Sequence, residues 1–223
     1  MHLSIIVPCL NEAAGIVEAL EALGPLRRGG HEVIVVDSGD DGTAELAAPL
    51  ADRVVRAPRG RAVQMNRGAE LAHGDLLLFL HADTRLPSTA RRAIAEGMAG
   101  AGRAWGRFDV RLSGHQPSLR VIETLMNWRS RLTGIATGDQ AIFVTRDLFR
   151  AVGGFPGIPL MEDVALSRAL KRQAPPLCLR DRVVTSSRRW ERDGIARTVL
   201  RMWWLRLRYF LGADPVRLAR LYD

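Results

Sequence analysis

Four short segments of this 223-residue chain combine carboxylates with turn-forming residues in a way that suits ligand chemistry. They are Pro8-Cys9-Leu10-Asn11-Glu12, Asp37-Ser38-Gly39-Asp40-Asp41-Gly42-Thr43, His81-Ala82-Asp83-Thr84 and Met161-Glu162-Asp163. The first three each follow a short apolar run, and carboxylates at the ends of strands can hold a ribose, accept from a base N–H or bind a hard divalent cation. Taken singly, each segment also suits plainer chemistry: Asp, Gly and Thr favour turns and helix N-caps, and an acid pair suits the first turn of a helix. The ligand reading requires that the strand ends converge on one crevice.

The elements that must place them follow from hydrophobic periodicity. Apolar runs at 3–7, 33–36 and 76–80 read as buried strands, with a short strand over 53–56. Helical spacing appears over 12–23, 42–50, 61–72 and 88–98, which predicts βαβ units around a mostly parallel sheet. Residues 104–112 alternate as an antiparallel strand would, so the sheet is expected to become mixed. Further on, helices are expected over 117–132, 146–152, 161–171 and 195–211, and strands over 139–144, 177–179 and 183–185. Gly153-Gly154-Phe155-Pro156-Gly157 marks a break. The fold class is therefore α/β. Residues 1–190 are expected to form one domain and 191–223 a helical extension, packed on that domain or on a membrane or dimer surface.

Bulk properties narrow the partners. The formal charge is +8, but the arginines are scattered, and no basic tail or nucleic-acid module appears, so nucleic acid is not the expected partner. A phosphorylated small molecule or an anionic surface suits the charge better. Cys9 and Cys178 are the two cysteines, too few for a disulfide framework or a zinc cluster. The start lacks a basic segment ahead of its short apolar run, and no window reaches the ~20 apolar residues of a spanning helix, so a cytoplasmic setting is expected.

The segments Ser4 to Glu12, Val35 to Thr43, Gly60 to Ala69, Gly74 to Asp83, and Gly153-Gly154-Phe155 with Met161-Glu162-Asp163 resemble the family-2 glycosyltransferases of the GT-A fold. The resemblance implies an inverting enzyme that moves a sugar from a nucleotide-diphosphate donor, UDP-sugar by preference, to an acceptor hydroxyl. It implies that Pro8, Leu10 and Glu12 line the nucleoside pocket and that Asp37 receives the base or ribose. His81, Ala82 and Asp83 are implied at the nucleotide sugar, with Asp83 holding a divalent metal ion, Mg2+ or Mn2+. The family places two acids around one residue at this point; His81 replaces the first, and its part at the ribose, at the metal or in the framework stays open. Arg61 is implied near the diphosphate, and Asp139, in Gly138-Asp139-Gln140, at the acceptor and sugar. Asp163 is the expected general base, with Glu162 as its orienting neighbour.

Ser186-Ser187-Arg188-Arg189-Trp190 resembles in part the arginine–tryptophan motif of processive synthases and places Arg188 or Arg189 near the diphosphate, but the motif is incomplete. The stretch 195–211 mixes arginines with Leu200, Trp203, Trp204, Leu207 and Phe210. Such a helix covers a core or a dimer seam, the reading preferred here, or lies in a headgroup layer with Trp at the interface. The acceptor is not identified; a lipid-linked or cell-envelope molecule fits a peripheral membrane contact. Two competitors are a nucleotide-sugar-binding module without turnover and a sugar nucleotidyltransferase, though the latter needs a glycine-rich, lysine-containing loop after the first strand that Pro8 to Glu12 does not offer.

Overall fold

The computed structural model describes residues 1–100 and 102–222; the side chain of Arg189 lies outside the described residues. The first half alternates strands and helices: β1 (Leu3–Cys9), α1 (Ile16–Glu21), α2 (Gly24–Arg28), β2 (Glu32–Asp37), α3 (Thr43–Ala47), β3 (Arg53–Arg56), α4 (Arg61–Leu71) and β4 (Leu76–Phe79). Every residue of β1, β2 and β4 is buried, as strands covered on both faces must be, and this is why their sequences read as continuous apolar runs. The helix expected over 12–23 begins only at Ile16, after a turn, and Gly24-Pro25 opens a separate helix. Proline is tolerated in a first turn, where its missing N–H costs no helical hydrogen bond.

The second half contains β5 (Thr84–Arg85), α5 (Ala90–Met98), β6 (Trp105–Leu112), α6 (Pro117–Thr133), a 3-10 turn (Gly138–Gln140), β7 (Phe143–Thr145), α7 (Arg146–Ala151), α8 (Glu162–Gln173), β8 (Leu177–Thr185), α9 (Arg188–Asp193), α10 (Ile195–Phe210) and α11 (Pro215–Tyr222). The sheet runs β3-β2-β1-β4-β7-β6-β8-β5. Strands β3, β2, β1 and β4 are parallel; β7 is antiparallel to both β4 and β6, β8 is parallel to β6, and β5 is antiparallel to β8.

Two expectations need correction. The strand anticipated over 139–144 starts only at Phe143, because Gln140 N donates to Thr137 O (2.9 Å) and Thr137 N to Gln140 Oε1 (3.2 Å), which closes the 3-10 turn, and Ala141 takes a left-handed φ of 47°. The two short strands anticipated near 177–185 are one strand, whose register against β6 shifts between Arg107 and Asp109 and so absorbs the polar Arg180-Asp181-Arg182 stretch.

Strand β6 pairs with β7 only through Trp105 and Gly106, which leaves later backbone groups on that edge to be satisfied otherwise. Helix α6 supplies them. Asn127 accepts from Val110 N (2.8 Å) and donates to Val110 O (2.9 Å), and Glu123 accepts from Leu112 N (3.0 Å). These bonds fix α6 across the sheet and so fix everything α6 carries.

The core lies on both faces of the sheet. One face packs β1, β2 and β4 against Ile16, Leu20 and Ile94; the other packs Ile6, Val36 and Phe79 against α4, Phe149 and Phe155. Gly68 of α4 lies so close to β1 and β2 that a Cβ there would sit 2.4 Å from Ile6 Cγ2. The C-terminal helices join through Leu205 and Leu218, which pack on Leu160 and Met161 just ahead of α8. Helix α10 buries Thr198 and Leu205 but leaves Leu200, Trp203, Leu207 and Phe210 exposed. Among the described residues, no helix is long and apolar enough to cross a membrane.

Candidate active site

The carboxyl ends of β1, β2 and β4 place three of the expected segments along one edge of the parallel half-sheet. Pro8 is buried in β1 opposite Val36, and Cys9 pairs in register with Asp37. Beyond the strand, Leu10 and Glu12 are half-buried, and Asn11 between them has a positive φ of 56°. Glu12 N donates to Thr43 Oγ1 (2.9 Å) and Ala13 N to Asp41 Oδ2 (3.0 Å), so the turns after β1 and β2 brace each other. The turn reading of Asp41-Gly42-Thr43 therefore holds in structural detail, and the acid at the strand end is Asp37.

Asp37 is fully buried. Its Oδ1 accepts from Gly39 N (3.0 Å), and its Oδ2 meets Arg56 Nη1 at 2.8 Å as an ion pair, without a hydrogen bond of good geometry among the described residues. Burial, with Asp37, Glu12 and Asp41 adding to it, pushes the Cys9 thiol far above its usual range, so Cys9 remains a protonated filler rather than a nucleophile.

Asp83 is half-buried and Ala82 buried at the end of β4. The Asp83 backbone carbonyl accepts from Ser186 N (3.2 Å), tying this end to the segment after β8. Burial raises the Glu12 pKa first and the Asp83 carboxylate raises it next, while Arg188 lowers it, so these three groups lie within electrostatic reach of one another. Arg188 is steered by its own Nε, which donates to Ser186 Oγ (3.1 Å).

The other wall comes from α8 and the 3-10 turn. Glu162 is 3% exposed and Asp163 is half-buried. Asp163 Oδ2 accepts from Gly138 N (2.9 Å) and Oδ1 from Val164 N (2.7 Å), which fixes the carboxylate while leaving lone pairs on both oxygens. His81 Nδ1 lies 3.7 Å from Asp139 Oδ1, and its ring presses on Gly138, where a Cβ would sit 2.5 Å from the ring. Gly138 is thus required by close approach.

Arg61, at the start of α4, joins the two walls. Its Nε is 3.5 Å from Glu162 Oε1, and Glu162, Asp163, Asp139 and Asp83 all raise its pKa against the lowering effect of burial. Of the expected site residues, Glu12, Asp83 and Arg188 lie within electrostatic reach of one another, and His81, Asp139, Glu162, Asp163 and Arg61 form a second connected group; Pro8, Leu10, Ala82 and Asp37 are placed beside them by their strand ends alone.

Two residues of the region were not anticipated. Arg56 neutralises Asp37, and only the register of β3 on β2 reveals it. Arg129 of α6 lies within electrostatic reach of Asp163 and Asp139. In sequence it is one arginine among many on a polar helix, with no motif to mark it.

Among the described residues, no group of three His, Cys, Asp or Glu side chains forms a ready metal cage. A small hard cation that arrives with a diphosphate needs only one or two carboxylates, with phosphate oxygens and water completing its shell. Asp83, half-buried and close to Glu12, fits that requirement; His81, engaged with Gly138 and Asp139, does not supply a second ligand from its present position.

Known proteins share this fold. The chain is similar to a mannosyltransferase from Pyrobaculum calidifontis solved with GDP-Man and Mn2+ (TM-score 0.63, 23% identity, 82% of this chain and 56% of that one). It is similar to Staphylococcus aureus TarS 1-349 in complex with UDP-GlcNAc (0.67, 18%, 83% and 58%). A third is glucosyl-3-phosphoglycerate synthase from Mycobacterium tuberculosis with Mn2+, UDP and glucosyl-3-phosphoglycerate (0.62, 21%, 82% and 70%). At these identities the likeness shows the fold, which is GT-A. In sequence, PGL/p-HBAD biosynthesis glycosyltransferases of Mycobacterium bovis and M. tuberculosis are 40% identical over 91 residues, covering 37% of this chain and 36% of each relative's length. The model of glycosyl transferase family 2 matches residues 4–149, a span that takes in the strand ends, Arg61, Asp83 and Asp139, and the chain belongs to that family.

Proposed function

We propose that the protein is an inverting transferase that passes a sugar from a nucleotide-diphosphate donor, UDP-sugar in the first instance, to an acceptor hydroxyl. The observation that carries this reading is Gly138, whose N donates to Asp163 Oδ2 (2.9 Å) and against which the His81 ring at the end of β4 lies, while Arg61 Nε is 3.5 Å from Glu162 Oε1. Segments expected on the donor side and on the acceptor side therefore adjoin. The solved relatives in fold support a nucleotide-sugar donor, two of them carrying UDP or UDP-GlcNAc and one GDP-Man.

Pro8, Leu10 and Glu12 form the nucleoside wall, and Asp37 is the acid assigned to a ribose hydroxyl or base N–H. Arg61 and Arg188 neutralise the diphosphate, and His81 and Asp139 border the sugar. Asp83 would hold a divalent cation, which when bound supplies charge neutralisation to the departing diphosphate. The acceptor hydroxyl oxygen attacks the anomeric carbon from the side opposite the leaving group. As the new C–O bond forms and the bond to the diphosphate breaks, the hydroxyl proton passes to Asp163, which its two backbone N–H donors hold in place. Burial and the Asp163 carboxylate raise the Glu162 pKa to about 7, so below that pH Glu162 keeps its proton and lessens the repulsion between the two acids.

A panel of nucleotide sugars, assayed for release of nucleoside diphosphate with wild-type protein and Asp163→Asn, tests the reading. One donor class should be turned over by the wild type and bound but scarcely turned over by the variant. Binding without turnover in the wild type would instead identify a binding module.

A further inference from the structure

Helices α6, α8 and α10 enclose a groove that begins at the proposed transfer centre. Its first part, of about 340 Å³, is lined by Met126, Trp128, Leu132, Trp190, Met202 and Trp203, with Asp139 as its sole carboxylate among the described residues. A second part, of about 640 Å³, is lined by Arg168, Lys171 and Arg172 beside Tyr209 and Phe210, with no carboxylate among the described residues. Arg129, Thr133 and Arg206 border both parts, so the apolar chamber and the cationic one meet at two guanidinium groups.

Those two groups are the telling feature. Arg129 Nε and Nη2 and Arg206 Nε are enclosed, yet have no hydrogen-bond acceptor among the described residues. A buried N–H donor on a cation is costly to leave unpaired, and an anion within the groove would satisfy it. Burial lowers the Arg129 pKa, with Asp163 and Asp139 acting against the fall and Arg107 adding to it, so an added negative charge at this point is favoured. Arg129 and Arg206 line both parts of the groove, so an anion lodged where the parts join lies beside both guanidinium groups.

We propose that this groove is the acceptor site, and that it takes an amphiphile whose apolar body lies against Trp128, Trp190 and Trp203 and whose anionic group, of phosphate type, is held by Arg129 and Arg206. The word acceptor rests on the transferase reading; the ligand class rests on the groove itself. Asp139, which lines the first part of the groove and contacts the His81 side, brings a hydroxyl borne near that anion toward the transfer centre.

The tryptophans on the groove provide the readout. Their emission is titrated with dodecyl phosphate below its micelle concentration, and in parallel with dodecyl maltoside, inorganic phosphate and phosphatidylglycerol vesicles. Saturable binding of dodecyl phosphate is expected, at least about tenfold tighter than that of the neutral detergent or of inorganic phosphate. Arg129→Met and Arg206→Met should each weaken it by about tenfold or more, and Trp203→Ala should weaken it too. Arg206 and Trp203 are further from the sheet, so they decide the matter should Arg129→Met fail to fold. Equal affinity for dodecyl maltoside, a response to vesicles alone, or unchanged binding in the arginine variants overturns the proposal. Nucleotide-sugar hydrolysis by the same wild-type preparation separates the two readings. Hydrolysis without dodecyl phosphate binding sinks the groove and keeps the transferase, whereas the reverse result upholds the groove as an amphiphile site and removes the transferase.

Discussion

The Glu162 carboxyl is pushed up from 4.5 to about 7 by burial and by the adjoining Asp163 carboxylate, with Arg61 pulling it back. A group raised in this way keeps its proton in the folded protein over a range where the unfolded chain has released it. The native state then binds more protons between pH 4.5 and about 7, so the stability contributed here falls as pH rises through that window and levels off above it. Glu162→Gln should remove this fall, and its melting temperature relative to wild type should climb from pH 5 to pH 8 in paired thermal scans. A constant difference would mean that Glu162 ionises normally. For Asp163, the expectation for Asp163→Asn is a fall in kcat of roughly 100- to 10,000-fold with the donor KM nearly unchanged, the mark of a group that acts in the transition state. The residues on sheet ends were legible in the sequence because strand period, turn residues and acids coincide there. Arg56 and Arg129 were not, because a cation's partner depends on strand register or on the angle of a helix across the sheet, and neither leaves a local pattern.

Among the elements, α4 does most to hold the two walls together. Gln64 donates to Cys9 O (2.7 Å) and Val36 O (2.9 Å), Asn66 bonds Phe155 through both its amide groups, and Arg61 stands at the helix start. Its approach to the sheet depends on Gly68, so Gly68→Ala should force α4 outward and cost ~1–3 kcal/mol in urea unfolding, since overpacking in a tight core shifts backbone or rotamers. Donor binding should weaken with it, as Arg61 moves away from Glu162. The βαβ half was readable because its strands are buried on both faces and its helices carry one apolar stripe. The 3-10 turn was not: Gly138-Asp139-Gln140 precedes an apolar run and reads as the start of a strand, while the closure that bends it depends on Thr137 and Gln140 bonding each other. Helices α9 and α11 were likewise absent from the sequence reading, the first hidden by its short, charged composition and the second by its position after a Gly-Ala-Asp-Pro break.

At the scale of the molecule, the proposed transfer sets the donor against the parallel half-sheet and the acceptor against the layer of α6, α8 and α10. The net charge of +8 gives an anionic donor a favourable field, screened beyond about 10 Å at ~0.1 M salt. Raising the salt should therefore raise the donor KM and leave kcat nearly constant; equal salt effects on both would place the charges at the chemical step rather than in the approach. The domain boundary drawn after residue 190 falls inside α9, and the extension is attached through Leu205 and Leu218 on Leu160 and Met161, directly before the acids of α8. Ile195 and Val199 also pack on Leu112, Leu119 and Ile122, while Leu200, Trp203, Leu207 and Phe210 stay exposed, so packing on the core accounts for only part of the helix that composition pointed to.

The proposed transfer depends on Asp83 binding a cation that the diphosphate shares. Calorimetric titration of UDP into the protein, with and without Mn2+, measures this directly in the wild type and in Asp83→Asn. Wild-type affinity should rise by about tenfold or more with the metal, and Asp83→Asn should lose that gain while keeping the metal-free affinity. An equal gain in both proteins would contradict the assignment.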